Sequence, residues 1–104
     1  MPLFGPPNVE KLKANRDVKG LIKALSYAKD AHIRQQAALA LGEVGGEEAV
    51  VPLSAALQDS TVAVRASAIQ ALGMIGDSQA VEALVAALKN SDENVRKKSV
   101  EMLK

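Results

Sequence analysis

Apolar positions along this chain fall at helical intervals, and the intervals themselves recur. Val18, Leu21 and Leu25 stand at i, i+3 and i+7, one face of a helix, and so do Val50, Leu53 and Leu57, then Val81, Leu84 and Leu88. A second pattern alternates with the first. Ile33, Ala37, Leu41 and Val44 are spaced i, i+4, i+8 and i+11, and Val64, Ala68, Leu72 and Ile75 repeat that stripe. Arg34, Arg65 and Arg96 recur 31 residues apart, as do Leu41, Leu72 and Leu103. A fixed period of this length is the signature of stacked supersecondary units, each too small to bury its own apolar face.

The pattern predicts three helix pairs. First helices are expected at about 17–28, 47–58 and 78–89, and second helices at about 31–43, 62–74 and 93–104. Asp30, Thr61 and Asp92 each precede the recurring arginine by four residues, and all three types can cap the first turn of a second helix. Gly45 and Gly76 follow the last apolar residue of their helices and fit a left-handed stop. Gly42 and Gly73 sit inside the last turn, where glycine costs about 1 kcal/mol against alanine; finding one in both copies implies a backbone that packs too closely for a side chain. Ahead of the pairs, residues 1–7 hold three prolines and read as an extended lead-in, with Leu3 and Phe4 able to fold back onto the first pair. Asn8 then caps a short helix, Val9–Ala14. The domain plan is a lead-in over 1–7 and one repeat domain over 8–104, with repeats at about 17–45, 46–76 and 77–104.

Composition narrows the chemistry. The apolar fraction is 48%, yet there is one Tyr, one Phe and no Trp, so the core must be built from Ala, Leu, Val and Ile in closely spaced helices. Without cysteine there is no disulfide or thiolate site, which fits a cytoplasmic chain. The N-terminal stretch lacks the basic start of a signal peptide, and no apolar run is long enough for a membrane span. Seven Lys/Arg against three Asp/Glu occupy residues 1–34, two against seven occupy 35–92, and four against two occupy 93–104. Basic ends flanking an acidic middle do not make the contiguous basic face that nucleic acid requires.

Candidate catalytic groups are few. His32 has no His, Cys or Glu cluster around it in sequence, so neither a metal site nor a serine–histidine pair is indicated, and no cofactor is expected. Gly42-Glu43-Val44-Gly45-Gly46 lacks the Gly-Lys-Ser/Thr ending of a phosphate loop and follows a helix C-terminus, whose dipole repels anions. The three arginines read as structural, each reaching a carboxylate or a helix-end carbonyl across its turn.

Leu57-x-Asp59 followed by Val64-Arg65 across the turn, with Ala71-Leu72-Gly73-x-Ile75-Gly76 closing the second helix, resembles HEAT repeats, closest to the short HEAT-like variety also found in phycobilin lyases. The resemblance covers roughly residues 17–104. It implies an all-α, right-handed α-solenoid with first helices on the convex layer and second helices on the concave one. It also implies that a turn aspartate and the arginine tie adjacent repeats together. Asp59 and Arg65 match that pair, whereas Asn90 replaces the aspartate before Arg96 and the first turn has no equivalent, so an incomplete ladder is expected.

The function implied is a non-catalytic scaffold for a protein or peptide; the alternative is a subunit or fragment of a phycobilin lyase-like or other enzyme-associated HEAT protein. Removing the buried stripe leaves a ridge of solvent-facing positions on the second helices. These are His32, Gln35, Gln36, Leu39 and Glu43, then Ala66, Ser67, Gln70 and Met74, then Lys97, Lys98 and Glu101. Leu39 and Met74 are apolar where the fold does not require it, and methionine suits an adaptable contact. No basic run or aromatic platform lies on the ridge, which favours a protein partner over nucleic acid. At the far end Met102 and Lys104 replace the small residues that Ala40, Ala71, Gly42 and Gly73 supply in the inner copies, which points to a cap or a chain end rather than an inner repeat, and that end is a candidate homodimer contact.

Overall fold

The computed structural model describes residues 5–104, so the contacts foreseen for Leu3 and Phe4 lie outside the described residues. Among them are seven α-helices and no strand: α1 (Val9–Ala14), α2 (Val18–Leu25), α3 (Ala31–Val44), α4 (Val50–Ala56), α5 (Val62–Ile75), α6 (Ser78–Ala87) and α7 (Glu93–Leu103). The pairs α2/α3, α4/α5 and α6/α7 stack in sequence into an α-solenoid about 45 × 25 × 16 Å. Helix α1 closes the first end by packing on both α2 and α3.

Local chemistry starts the helices where the pattern placed them. Asn8, Asp17, Asp30, Asp77 and Asp92 each accept a hydrogen bond from a first-turn amide. Thr61 stands at the N-cap of α5 but its hydroxyl makes no capping bond; it lies 3.4 Å from Nη2 of Arg34 instead. The second pair begins with a 3-10 turn, Gly46–Ala49, where one continuous helix was expected. Pro52 has no N–H to offer the carbonyl four residues earlier, so the chain enters α4 through the tighter turn. That turn also moves the left-handed residue. Gly45 is right-handed at φ −80°, and Gly46 takes the positive φ of 59°, whereas Gly76 is left-handed as expected at φ 64°.

The core is one continuous layer of aliphatic side chains between the two rows of helices. Leu21, Leu41, Leu53, Ile69, Leu72 and Leu84 are fully or almost fully buried, with alanines filling the spaces between them. Leu57 is buried as well, but Leu88 is only partly covered, and Val81 is exposed although it shares the register of the buried Val50. The second helices lie much closer to one another than the first helices do. A side chain on Gly42 would meet the Cα of Ala71 at 2.8 Å, and one on Gly73 would run into the end of the Met102 side chain. The position of Ala71 and Met102 therefore faces the preceding repeat. The small residues there are not kept for a following one, and Met102 fills the space over Gly73.

Two expectations follow. Leu72→Ala should lower unfolding free energy by about 2–5 kcal/mol, from lost burial and the cavity left behind, measured by denaturant titration. Gly42→Ala should destabilise the fold, because it drives a methyl into backbone, while Gly73→Ala should be close to neutral. The Met102 side chain can swing aside, and the alanine recovers about 1 kcal/mol of helix propensity. Equal melting points for the two alanine variants would contradict this packing.

Candidate functional site

The recurring arginines are all committed to the architecture. Arg34 holds Asp59 of the next repeat through two bonds, Nε to Oδ2 at 2.9 Å and Nη2 to Oδ1 at 3.2 Å, and its Nη1 donates to the carbonyl of Tyr27 at 3.0 Å. Arg65 donates to the Asp59 carbonyl at 2.7 Å and pairs with Asp92 of the third repeat at 2.6 Å. Arg96 donates to the carbonyls of Asn90 and Ser91 at 2.8 and 3.0 Å. The ladder thus crosses both junctions, where an incomplete one was expected. Its rungs run from an arginine to the turn of the following repeat, a separation that motif spacing within one turn does not reveal.

The two rungs differ in quality for a definable reason. Asp59 spends Oδ1 on the Thr61 amide and still offers Oδ2 to Nε of Arg34. Asn90, one period later, accepts from the Asp92 amide through its only acceptor, at 2.8 Å. Its other terminal atom is an amide nitrogen, which cannot accept a bond. Asp92 supplies the rung instead, while also capping α7 through the amides of Asn94 and Val95. Nε of Arg65 is left buried with no hydrogen-bond partner.

Burial alone raises the Asp59 carboxyl, but the hydrogen bonds from Arg34 and the Thr61 amide, with the charges of Arg34 and Arg65, outweigh it and hold the group below its ordinary value. For Asp92, burial likewise opposes ionisation and is overcome by the Val95 and Asn94 amides and by Arg65. Hydrogen bonding to Asp59 raises the Arg34 guanidinium further.

The expected ridge is only partly continuous. His32, Gln36 and Glu43 on α3, Gln70 and Met74 on α5, and Lys97 and Glu101 on α7 are exposed, whereas Gln35, Leu39, Ala66 and Lys98 are half-buried. Ser67 is buried at 5% exposure, contrary to expectation, because α5 lies between two other helices and has less free surface than α3 or α7. Toward the first end, α1 borders the ridge. Gln36, Leu39, Ala40 and Glu43 face Val9, Glu10 and Lys13 across a groove of about 230 Å³, and Lys13 pairs with Glu43 at 2.6 Å. On α7 the charges pair along the helix, Lys97 with Glu93 at 3.2 Å and Lys98 with Glu101 at 3.9 Å. The contribution of α1 escaped sequence reasoning, because a six-residue helix carries too little periodicity to fix its orientation.

A larger hollow of about 440 Å³ opens between α2 and α4 beside the Arg34–Asp59 rung. Its lining is Leu25, Pro52, Gln58 and small residues around the already matched Arg34–Asp59 pair. Among the described residues no cluster of three metal-binding side chains occurs, and no helix is long and apolar enough to cross a membrane.

Stacked helix pairs with cross-linked turns define a helical-repeat protein. The chain belongs to the HEAT-repeat family, whose description, HEAT repeats, matches residues 18–104. No curated protein matches it.

Asn90→Asp should supply the acceptor that Nε of Arg65 lacks and raise stability by about 1 kcal/mol, read as a higher melting temperature; a lower one would show that repulsion from Asp92 dominates. Because the folded carboxyls of Asp59 and Asp92 lie below the unfolded value of 3.8, their contribution is complete above that pH. It is lost as pH falls through the folded values. Melting temperature should therefore drop on acidification below about pH 4, and Asp59→Asn should flatten the drop.

Proposed function

We propose that the chain is a non-catalytic interaction scaffold that binds a protein or peptide along the ridge of its second helices, α3, α5 and α7. HEAT repeats are in general protein-interaction scaffolds. The observation that carries the choice of surface is the groove between α1 and α3, where the half-buried Leu39 offers apolar contact beside the exposed Gln36. Met74, 46% exposed on α5, extends the apolar component along the same side. Apolar anchors within a polar surround are the usual composition of a transient protein interface. On this reading the second helices form the concave layer, and the Lys13–Glu43 pair at the rim fixes orientation more than affinity, since exposed ion pairs contribute about 0–1 kcal/mol.

Affinity capture from the source cell, followed by binding measurements with the retained protein, tests the proposal. Leu39→Asp, Gln36→Glu and Gln70→Glu should each weaken binding by several-fold or more with helical content unchanged. Full affinity in all three variants would move the site elsewhere.

A further inference from the structure

The outward side of the middle repeat is apolar where that of its neighbours is charged. Two residues before the buried Leu21, Leu53 and Leu84 stand Lys19, Val51 and Glu82; two residues after them stand Lys23, Ala55 and Ala86. A step of two along a helix turns it by about 200°, so these positions lie opposite the buried leucines. All six are exposed. Val51 is 76% exposed, more than any other of the exposed large hydrophobics. Helix α4 is also the one α-helix among the described residues that carries no charged side chain. A helix with one face in water ordinarily sets polar and charged groups there.

This strip is lateral: the core lies beneath α4, helices α2 and α6 flank it, and stacking of one repeat on the next leaves its outer side uncovered. Charge is arranged around it. Lys19 stands on the α2 flank and Glu82 on the α6 flank, in the same register, and neither forms an ion pair among the described residues. A surface that is positive on one flank, apolar at the centre and negative on the other complements itself. Turned about an axis running along α4, it sets the positive flank over the negative one twice and the centre on itself. Turned about an axis across α4, it would set the lysines of α2 over the same lysines of the second copy, which repel. The charge pattern selects the first orientation.

We infer that the outer face of α4 is the contact between two copies of this chain, with Val51 and Ala55 against their counterparts and Lys19 of each copy against Glu82 of the other. The small side chains of Ala55 and Ala86 let the helices approach, and the long side chains of Lys19 and Glu82 span the gap at the flanks. Glu48, exposed just ahead of α4, meets its own copy near the axis, so the helices splay at that end. One short helix and two exposed ion pairs make a contact below the roughly 1,200–2,000 Å² of a standard interface, so the association is reversible and salt-sensitive. The second helices lie on the other side of the core, and the contact uses none of the ridge residues. Its test is therefore independent of what the ridge binds, and a dimer would present that ridge twice.

Sedimentation equilibrium of the full chain should show a monomer–dimer equilibrium that strengthens as salt is lowered. Lys19→Glu and Glu82→Lys, both on the surface, should each weaken it about tenfold, because two attractions become two repulsions. An equimolar mixture of these two variants should recover the association of the unaltered chain, since each flank again faces its opposite. A change of fold in either variant could not produce that recovery. Val51→Asp should abolish the dimer, and Glu48→Gln should tighten it. A chain that stays monomeric at millimolar concentration in low salt would overturn the proposal. So would a dimer indifferent to Val51→Asp, or a mixture of the two charge variants that associates no better than either alone.

Discussion

The backbone of α5 passes so near α3 at Gly42 that a methyl group there would meet the Ala71 Cα at 2.8 Å, so no side chain can stand between the two helices at that point. Close approach lets alanines fill the interior between second helices, so a chain with only two aromatic residues still closes its core. The first helices do not share this contact and lie farther apart, leaving a hollow between α2 and α4 beside the rung. Glycine sets the distance at one end of the second helices; the arginine rungs set it at the other. With both ends fixed, the angle between successive repeats has little freedom.

How much of this was legible depends on the range of the interaction involved. Helix positions, the leucine core and most caps are written in spacing within one helix, and residues such as Leu53, Leu72, Asp30 and Asp92 lie where that spacing puts them. The failures are non-local. Periodicity treats a helix as having one buried stripe, but α5 has neighbours on several sides, so Ser67 is covered although it lies off the stripe. Thr61 looked like a cap by type and position, yet its hydroxyl lies toward Arg34, 27 residues away. Val81 matched the first-helix stripe and is exposed, because register predicts a face and not what lies against it.

Charge follows the same architecture. An acidic second repeat lies between a basic first repeat and a basic final helix, and the cross-repeat ion pairs run from arginine toward the following turn. Such directionality makes the two ends chemically different even though the units are alike. Toward the start, α1 covers the apolar surface with Val9 and Leu12; toward the finish, the last pair presents its outer surface directly.

Asp92 performs two tasks that no single residue combines at the first junction. At the first junction, Asp59 makes the rung to Arg34 and leaves the start of α5 to begin without a side-chain cap. At the second, a single carboxylate both starts α7 and joins it to α5 through Arg65. Loss of that one group detaches the joint and frays the helix it belongs to in the same event. A change at Asp92 therefore acts on cap and joint together, while the α2–α5 block keeps its own rung and its glycine contact.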